Sequence, residues 1–187
     1  MFVRSLSLGV AAAALLVGGA QAADLIIPTT PQPIYEAAGF SWDGLYAGVQ
    51  GGAEFFDGFT AGVVGAHVGV NFIVADPILL GLEGTAEYVW GTNNGVDLNR
   101  GEFFVNARVG AVVTDAVLVY ALAGAGVATQ ENVDNRGIYQ LGGGVEFAVT
   151  DAVSVRAQLV GLGDFDNNAN NDFFDAAKAT VGVSYHF

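Results

Sequence analysis

Along the last ten residues of the chain, Ala179, Val181, Val183, Tyr185 and Phe187 alternate with Lys178, Thr180, Gly182, Ser184 and His186. A period of two, apolar against polar or small, puts one set on each face of a β-strand. Three short segments punctuate the same alternation upstream: Val74-Ala75-Asp76-Pro77-Ile78, Val113-Thr114-Asp115-Ala116-Val117 and Val149-Thr150-Asp151-Ala152-Val153, spaced 39 and 36 residues apart. Each centres an aspartate between β-branched residues, the chemistry of a tight hairpin connection. Reading outward from them predicts eight strands, near 43–54, 60–74, 78–91, 101–113, 117–129, 137–149, 153–164 and 176–187. The remaining connections, near 55–59, 92–100, 130–136 and 165–175, are rich in Asn, Asp and Gly and read as the longer loops. Short turns at one end and longer loops at the other are what an up-and-down barrel requires.

If each short turn has three residues centred on its aspartate, the register follows, and one face can be traced through both flanking strands. The outward set then holds Val64, Ala66, Val68, Val70 and Phe72; Leu80, Leu82, Ala86, Tyr88 and Trp90; Phe103, Val105, Ala107 and Val109. It continues with Val119, Ala121, Ala123, Leu141, Val145, Phe147, Val155, Ala157 and Leu159, and no charge falls among these positions. A soluble barrel would reverse the pattern, with an apolar lining and a charged exterior. The expected fold is therefore all-β: an eight-stranded, antiparallel, up-and-down transmembrane β-barrel. Composition agrees, because only 13% of residues are charged, about half the share in soluble domains. The longest uncharged apolar run, 116–129, is too short for a membrane helix and carries Gly124 and Gly126.

At the other terminus Arg4 precedes an apolar run from Leu6 to Ala20 and then Ala20-Gln21-Ala22, which reads as a cleavable signal peptide over 1–22. The run is about five residues short of a membrane span. Residues 23–41 hold Pro28, Pro31 and Pro33 and read as a periplasmic linker, leaving 42–187 as the barrel. Without Arg4, five basic residues face 19 acidic ones, a net charge of −14 that disfavours nucleic acid as a partner. There is no cysteine, so neither disulfides nor thiolate metal sites contribute.

The inward set carries His67, Gly69, Asn71, Glu83, Glu87, Asn106, Arg108, Gly110, Glu146, Arg156, Gln158 and Lys178, with Tyr120 and Leu122 inward on the fifth strand. Glu83, Arg108, Glu146 and Arg156 lie five to seven residues from their turn aspartates. At the rise and tilt of barrel strands that is roughly 12 to 16 Å above the periplasmic rim, so the four should meet near mid-membrane. Glu146 and Arg156 are equidistant from Asp151, which predicts a direct cross-strand ion pair. Such a lumen charge network either packs the barrel as a polar plug or forms a gated constriction.

The segments Trp42-Asp43-Gly44-Leu45-Tyr46-Ala47-Gly48, Gly65-Ala66-His67-Val68-Gly69-Val70-Asn71-Phe72 and Gly81-Leu82-Glu83, with Arg108-Val109-Gly110, Gly144-Val145-Glu146-Phe147, Val155-Arg156-Ala157-Gln158 and Val181-Gly182-Val183-Ser184-Tyr185-His186-Phe187, carry a family resemblance. Together they resemble the small outer-membrane β-barrel family related to the transmembrane domain of OmpA, in particular its alphaproteobacterial surface-protein branch. The resemblance implies eight strands, no enzyme activity, no cofactor, an envelope role in a Gram-negative outer membrane, and lumen charges at Glu83, Arg108, Glu146 and Arg156. It also implies that Phe187 is read by the barrel-assembly machinery. Gln158 stands where an acid is common, His67 where Gln is common and His186 where Arg or Lys is common. With nothing beyond Phe187, cell-wall anchoring by a peptidoglycan-binding domain is not expected.

Other constellations weigh less. Ser184 and His186 share a strand face, but they lie at the periplasmic end and point inward, away from where a lipid deacylase needs its triad. Asp164, Asp166, Asn168, Asp172 and Asp175 place oxygen ligands as a calcium loop does, yet Ala169 replaces the turn glycine and no helices flank it. A solvated acidic loop fits better. Tyr88 and Trp90 at one end, with Tyr185 and Phe187 at the other, read as the two aromatic girdles. The functional expectation is a monomeric structural outer-membrane protein contributing to envelope integrity, in contact with lipid and lipopolysaccharide. A small ion or solute channel and a surface adhesin are the alternatives.

Overall fold

The computed structural model describes residues 40–93, 96–97, 99–130, 133–165 and 173–187. The signal segment and residues 23–39 of the linker lie outside them. Eight long strands form the barrel: β1 (Gly44–Phe56), β2 (Phe59–Ala75), β3 (Ile78–Trp90), β4 (Arg100–Thr114), β5 (Val117–Gln130), β6 (Val133–Ala148), β7 (Val153–Asp164) and β8 (Ala176–His186). Each pairs antiparallel with its sequence neighbours, and β1 closes on β8. Between β3 and β4, Thr92–Asn93 and Val96–Asp97 make a two-rung hairpin of their own.

The register follows the turn aspartates. Phe72 pairs with Leu80, Ala111 with Val119 and Glu146 with Arg156, each pair symmetric about Asp76, Asp115 or Asp151. The first two turns are nevertheless tighter than three residues. Ala75 pairs with Ile78 and Thr114 with Val117, with a register shift at Val74 and at Val113. A two-residue connection suits strand twist, and one unpaired residue in the preceding strand restores the register. At the other end, the connection expected as a loop near 55–59 is only Asp57-Gly58, with Gly58 at φ +89°. Asp-Gly is a strong two-residue hairpin signal, because glycine enters the left-handed region without steric cost. β6 also starts earlier than its composition suggests: Arg136 pairs with Ala128 and Val133 with Gln130, so the ladder takes up polar residues that read as loop.

Following the pairs round the barrel from Glu54 leads through Lys178, Val160, Gly142, Leu122, Arg108, Gly81 and Asn71 to Gly44, ten residues from the start. Eight strands with that stagger tilt by about 40° and enclose a Cα radius of about 8 Å, which side chains fill. The outward positions are uncharged and exposed, including Val68, Phe72, Leu82, Val105, Val109, Val119, Val155 and Val181. The inward positions are buried, including His67, Asn71, Glu83, Asn106, Arg108, Tyr120, Leu122, Glu146, Arg156 and Lys178. Apolar layers lie at the two ends of this interior, Leu79 and Leu118 by the short turns and Val63, Val89, Ile138 and Leu162 by the longer loops.

Trp42 closes the short-turn end. It precedes β1, yet its Nε1 donates to the carbonyl of Asp115 at 3.1 Å, in the turn before β5. β5 is four strands from β1 in either direction round the barrel, so the indole crosses the opening. Phe40, assigned to the linker by its sequence, packs edge-on against Trp42 and His186 at 4.5 and 4.6 Å. Trp42 is 3% exposed. Trp42→Ala removes this buried surface together with its hydrogen bond and is expected to cost about 3 kcal/mol, read from urea unfolding of the refolded barrel in detergent.

Candidate functional site

The buried charges form two layers joined by one amide. The inner layer, nearer the short turns, centres on Glu83 of β3. Its Oε2 accepts from Arg156 Nη1 at 2.6 Å, Arg108 Nη1 at 3.3 Å and the Tyr46 hydroxyl at 2.8 Å. Arg108 also donates from Nη2 to Glu146 Oε2 at 3.1 Å and from Nη1 to the Tyr46 hydroxyl. Its guanidinium lies 4.0 Å from the Tyr120 ring centre and 5.3 Å from that of Tyr46, so it is held by two carboxylates and two π-faces. A Cβ at Gly69 would collide with the Tyr46 ring, which explains the bare backbone opposite it.

The structure therefore brings Glu83, Arg108, Glu146 and Arg156 together, but not through the cross-strand pair expected from the sequence. Glu146 and Arg156 are ladder partners, yet Glu146 bonds Arg108 and accepts from Ser154 Oγ at 2.5 Å, while Arg156 reaches Glu83 and Gln50 Oε1. The bore is narrow enough for an arginine to span it. A carboxylate on the facing wall can then align with the guanidinium fork better than the neighbour alongside it. The inner layer balances two carboxylates against two guanidinium groups, all fully buried.

The outer layer was not visible as a cluster in the sequence. Lys178 Nζ donates to Glu87 and Glu102, both at 2.6 Å, and Arg100 binds Glu54 at 2.5 Å and Glu102 at 2.7 Å. Gln50 joins the layers, accepting from Arg156 and donating to Glu87 at 2.6 Å. Tyr46, Gln50 and Glu54 recur every fourth residue on one face of β1, and Glu102 shares the parity of Asn106 and Arg108. That parity was the available signal. β1 adjoins none of the three aspartate turns that set the register, so its face could not be traced by the same symmetry, and Arg100 read as loop.

His186 Nε2 lies 3.0 Å from Ser154 Oγ and 3.4 Å from Glu146 Oε1, and Ser184 pairs instead with His67 Nε2 at 2.9 Å. Serine and acid thus meet the same ring nitrogen of His186, whereas a triad needs the acid on the other one. The Tyr88 and Trp90 rings lie 6.4 Å apart on the outer face, those of Tyr185 and Phe187 5.1 Å apart, and all four are exposed. Of the acidic loop, Asp166, Asn168 and Asp172 fall outside the described residues. Asp164 sits 3.3 Å from Arg136, and its backbone N–H donates to Asp175 Oδ2 at 3.1 Å.

An uncharged exterior around a closed, charged interior is the inverse of a soluble barrel. Residues 10–187 match the family model described as outer membrane protein beta-barrel domain. The chain belongs to that family. Its members reside in the outer membrane of Gram-negative bacteria, so the short turns face the periplasm and the longer loops the exterior. No curated protein matches the sequence. Among solved structures the chain is similar to Ail, the attachment invasion locus protein of Yersinia pestis, in complex with the heparin analogue sucrose octasulfate, with TM-score 0.54, 14% identity, and 77% of this chain and 97% of that one covered. It is also similar to the N-terminal β-barrel domain of OprF from Pseudomonas aeruginosa, with TM-score 0.51, 12% identity, and coverage of 78% and 98%. At these identities the likeness establishes the shared fold.

Glu83 serves both buried arginines of the inner layer, and removing it leaves Arg156 without a carboxylate and Arg108 with Glu146 alone. Glu83→Ala is expected to lower stability by about 3 kcal/mol, with partial recovery when Arg156→Met is added, because the second change removes one uncompensated charge. Urea unfolding of the two variants in detergent micelles checks both statements.

Proposed function

We propose that this outer-membrane barrel is a structural envelope protein with a closed lumen, and not a channel or an enzyme. The carrying observation is the crossing of the bore by Arg108 and Arg156, each bonded to a carboxylate on another strand, beneath the indole of Trp42. Ion passage requires sites weak enough to release an ion, and each of these charges is held by at least one opposite charge at 2.6 to 3.3 Å. In this role the barrel acts as a monomer whose outward aliphatic face meets lipid. Tyr88 and Trp90 mark the outer interface and Tyr185 and Phe187 the periplasmic one, with lipopolysaccharide around the outer rim. The acidic loops oppose a polyanion of the kind seen on Ail, which argues against a matching adhesive role.

Planar-bilayer recordings of the purified barrel are expected to show no stable openings. Long-lived unitary conductance of the unmodified protein, reduced by Arg156→Ala or Glu146→Ala, would replace the structural reading with a channel. The last strand gives a second test. Phe187→Ala is expected to reduce outer-membrane insertion severalfold while export to the periplasm continues, as read by fractionation and heat-modifiable gel mobility. Normal outer-membrane levels would show that Phe187 is not the assembly signal.

A further inference from the structure

The outer layer carries three buried carboxylates, Glu54, Glu87 and Glu102, against two cations, Arg100 and Lys178. Lys178 is the ladder partner of Glu54 but turns to the other two acids, so Glu54 keeps Arg100 alone. Glu54 is 1% exposed, and its Oε2 has no hydrogen-bond partner among the described residues. A carboxylate oxygen without a donor in a water-poor site is costly and attracts one.

Glu54 also lines an opening of about 370 Å³ at the exterior end, a volume that includes the solvent at its open side. Phe56, Ala128, Ile138 and Leu162 form its apolar walls, Arg100 and Glu102 line it beside Glu54, and Asp164 and Asp175 stand at the rim with Arg136, which lies 3.3 Å from Asp164. A bare divalent ion is a poor fit. Calcium takes six to eight oxygen ligands, and no group of three acidic or histidine side chains among the described residues is placed to hold a metal. An ammonium group on an aliphatic stem matches both features, with its N–H donors on the carboxylate and its methylenes along the walls.

We infer that this external vestibule is a binding site for short linear diamines of the 1,4-diaminobutane type. One ammonium is received by Glu54 beside Arg100, and the second lies towards the acidic rim. The inference stands apart from whether the lumen conducts, since the site lies outside the inner layer.

Titration calorimetry of the refolded full barrel with 1,4-diaminobutane tests it. The expected result is saturable binding at one site, weakened at least tenfold by Glu54→Gln and changed less than twofold by Asp57→Asn, which removes an equal charge from the exposed β1–β2 turn. Ala128→Leu, which narrows the apolar wall and leaves every charge in place, is expected to weaken binding at least fivefold and serves if Glu54→Gln fails to fold. Absence of saturable binding overturns the proposal. So does equal weakening by Asp57→Asn, or equally effective competition by magnesium, because either outcome reduces the effect to general attraction by an acidic surface.

Discussion

Backbone hydrogen bonding in a lipid environment is the constraint on which the rest of this structure depends. Each unpaired N–H or carbonyl in hydrocarbon costs several kcal/mol, so the sheet must close, and it does so through the pairing of β1 with β8. Closure at eight strands with a ten-residue stagger then dictates the bore. A Cα radius of about 8 Å leaves room for side chains and little else. Every inward residue must therefore find its partner across or along a space that an arginine can span.

Under that constraint the interior charges act as packing units with directional demands. Glu83 serves two arginines and a tyrosine, and Arg108 is clasped between carboxylates and aromatic rings. In both layers the ladder neighbour is passed over: Arg156 passes over Glu146, and Lys178 passes over Glu54. Partner choice is set by which carboxylate a long side chain meets on another strand across the bore. The inner layer closes to charge balance, whereas the outer one keeps an excess carboxylate where the barrel opens to the exterior. Trp42 and Phe40 complete the seal at the opposite end by laying aromatic surface across the mouth.

Much of the barrel was legible because its chemistry is local and periodic. Val-x-Asp-x-Val/Ile segments marked three turns and with them the register of six strands, including the symmetry of Glu146 and Arg156 about Asp151. The absence of charge on one face identified lipid as the outer solvent. Less legible were Asp57-Gly58, hidden in a stretch that reads as loop, and the start of β6, where Asp134, Asn135 and Arg136 are polar enough to belong outside a sheet. Tyr46, Gln50, Glu54 and Arg100 lay beyond the reach of the three turns, although the spacing of the first three was consistent with an inward face; Glu102 shared the traced inward parity of Asn106 and Arg108.

By itself, then, the order of residues determined the strand count, the register at the aspartate turns, and which side chains face lipid and which the lumen. These depend on a period of two and on turn chemistry, both of which act over a few neighbouring positions. Only the closed barrel decided who pairs with whom inside it, that Trp42 reaches a turn 73 residues away, and that Glu54 keeps an oxygen without a donor among the described residues at the exterior opening. Those outcomes depend on the stagger with which β8 meets β1. That stagger sums small register choices around all eight strands, and no single segment of the chain encodes it.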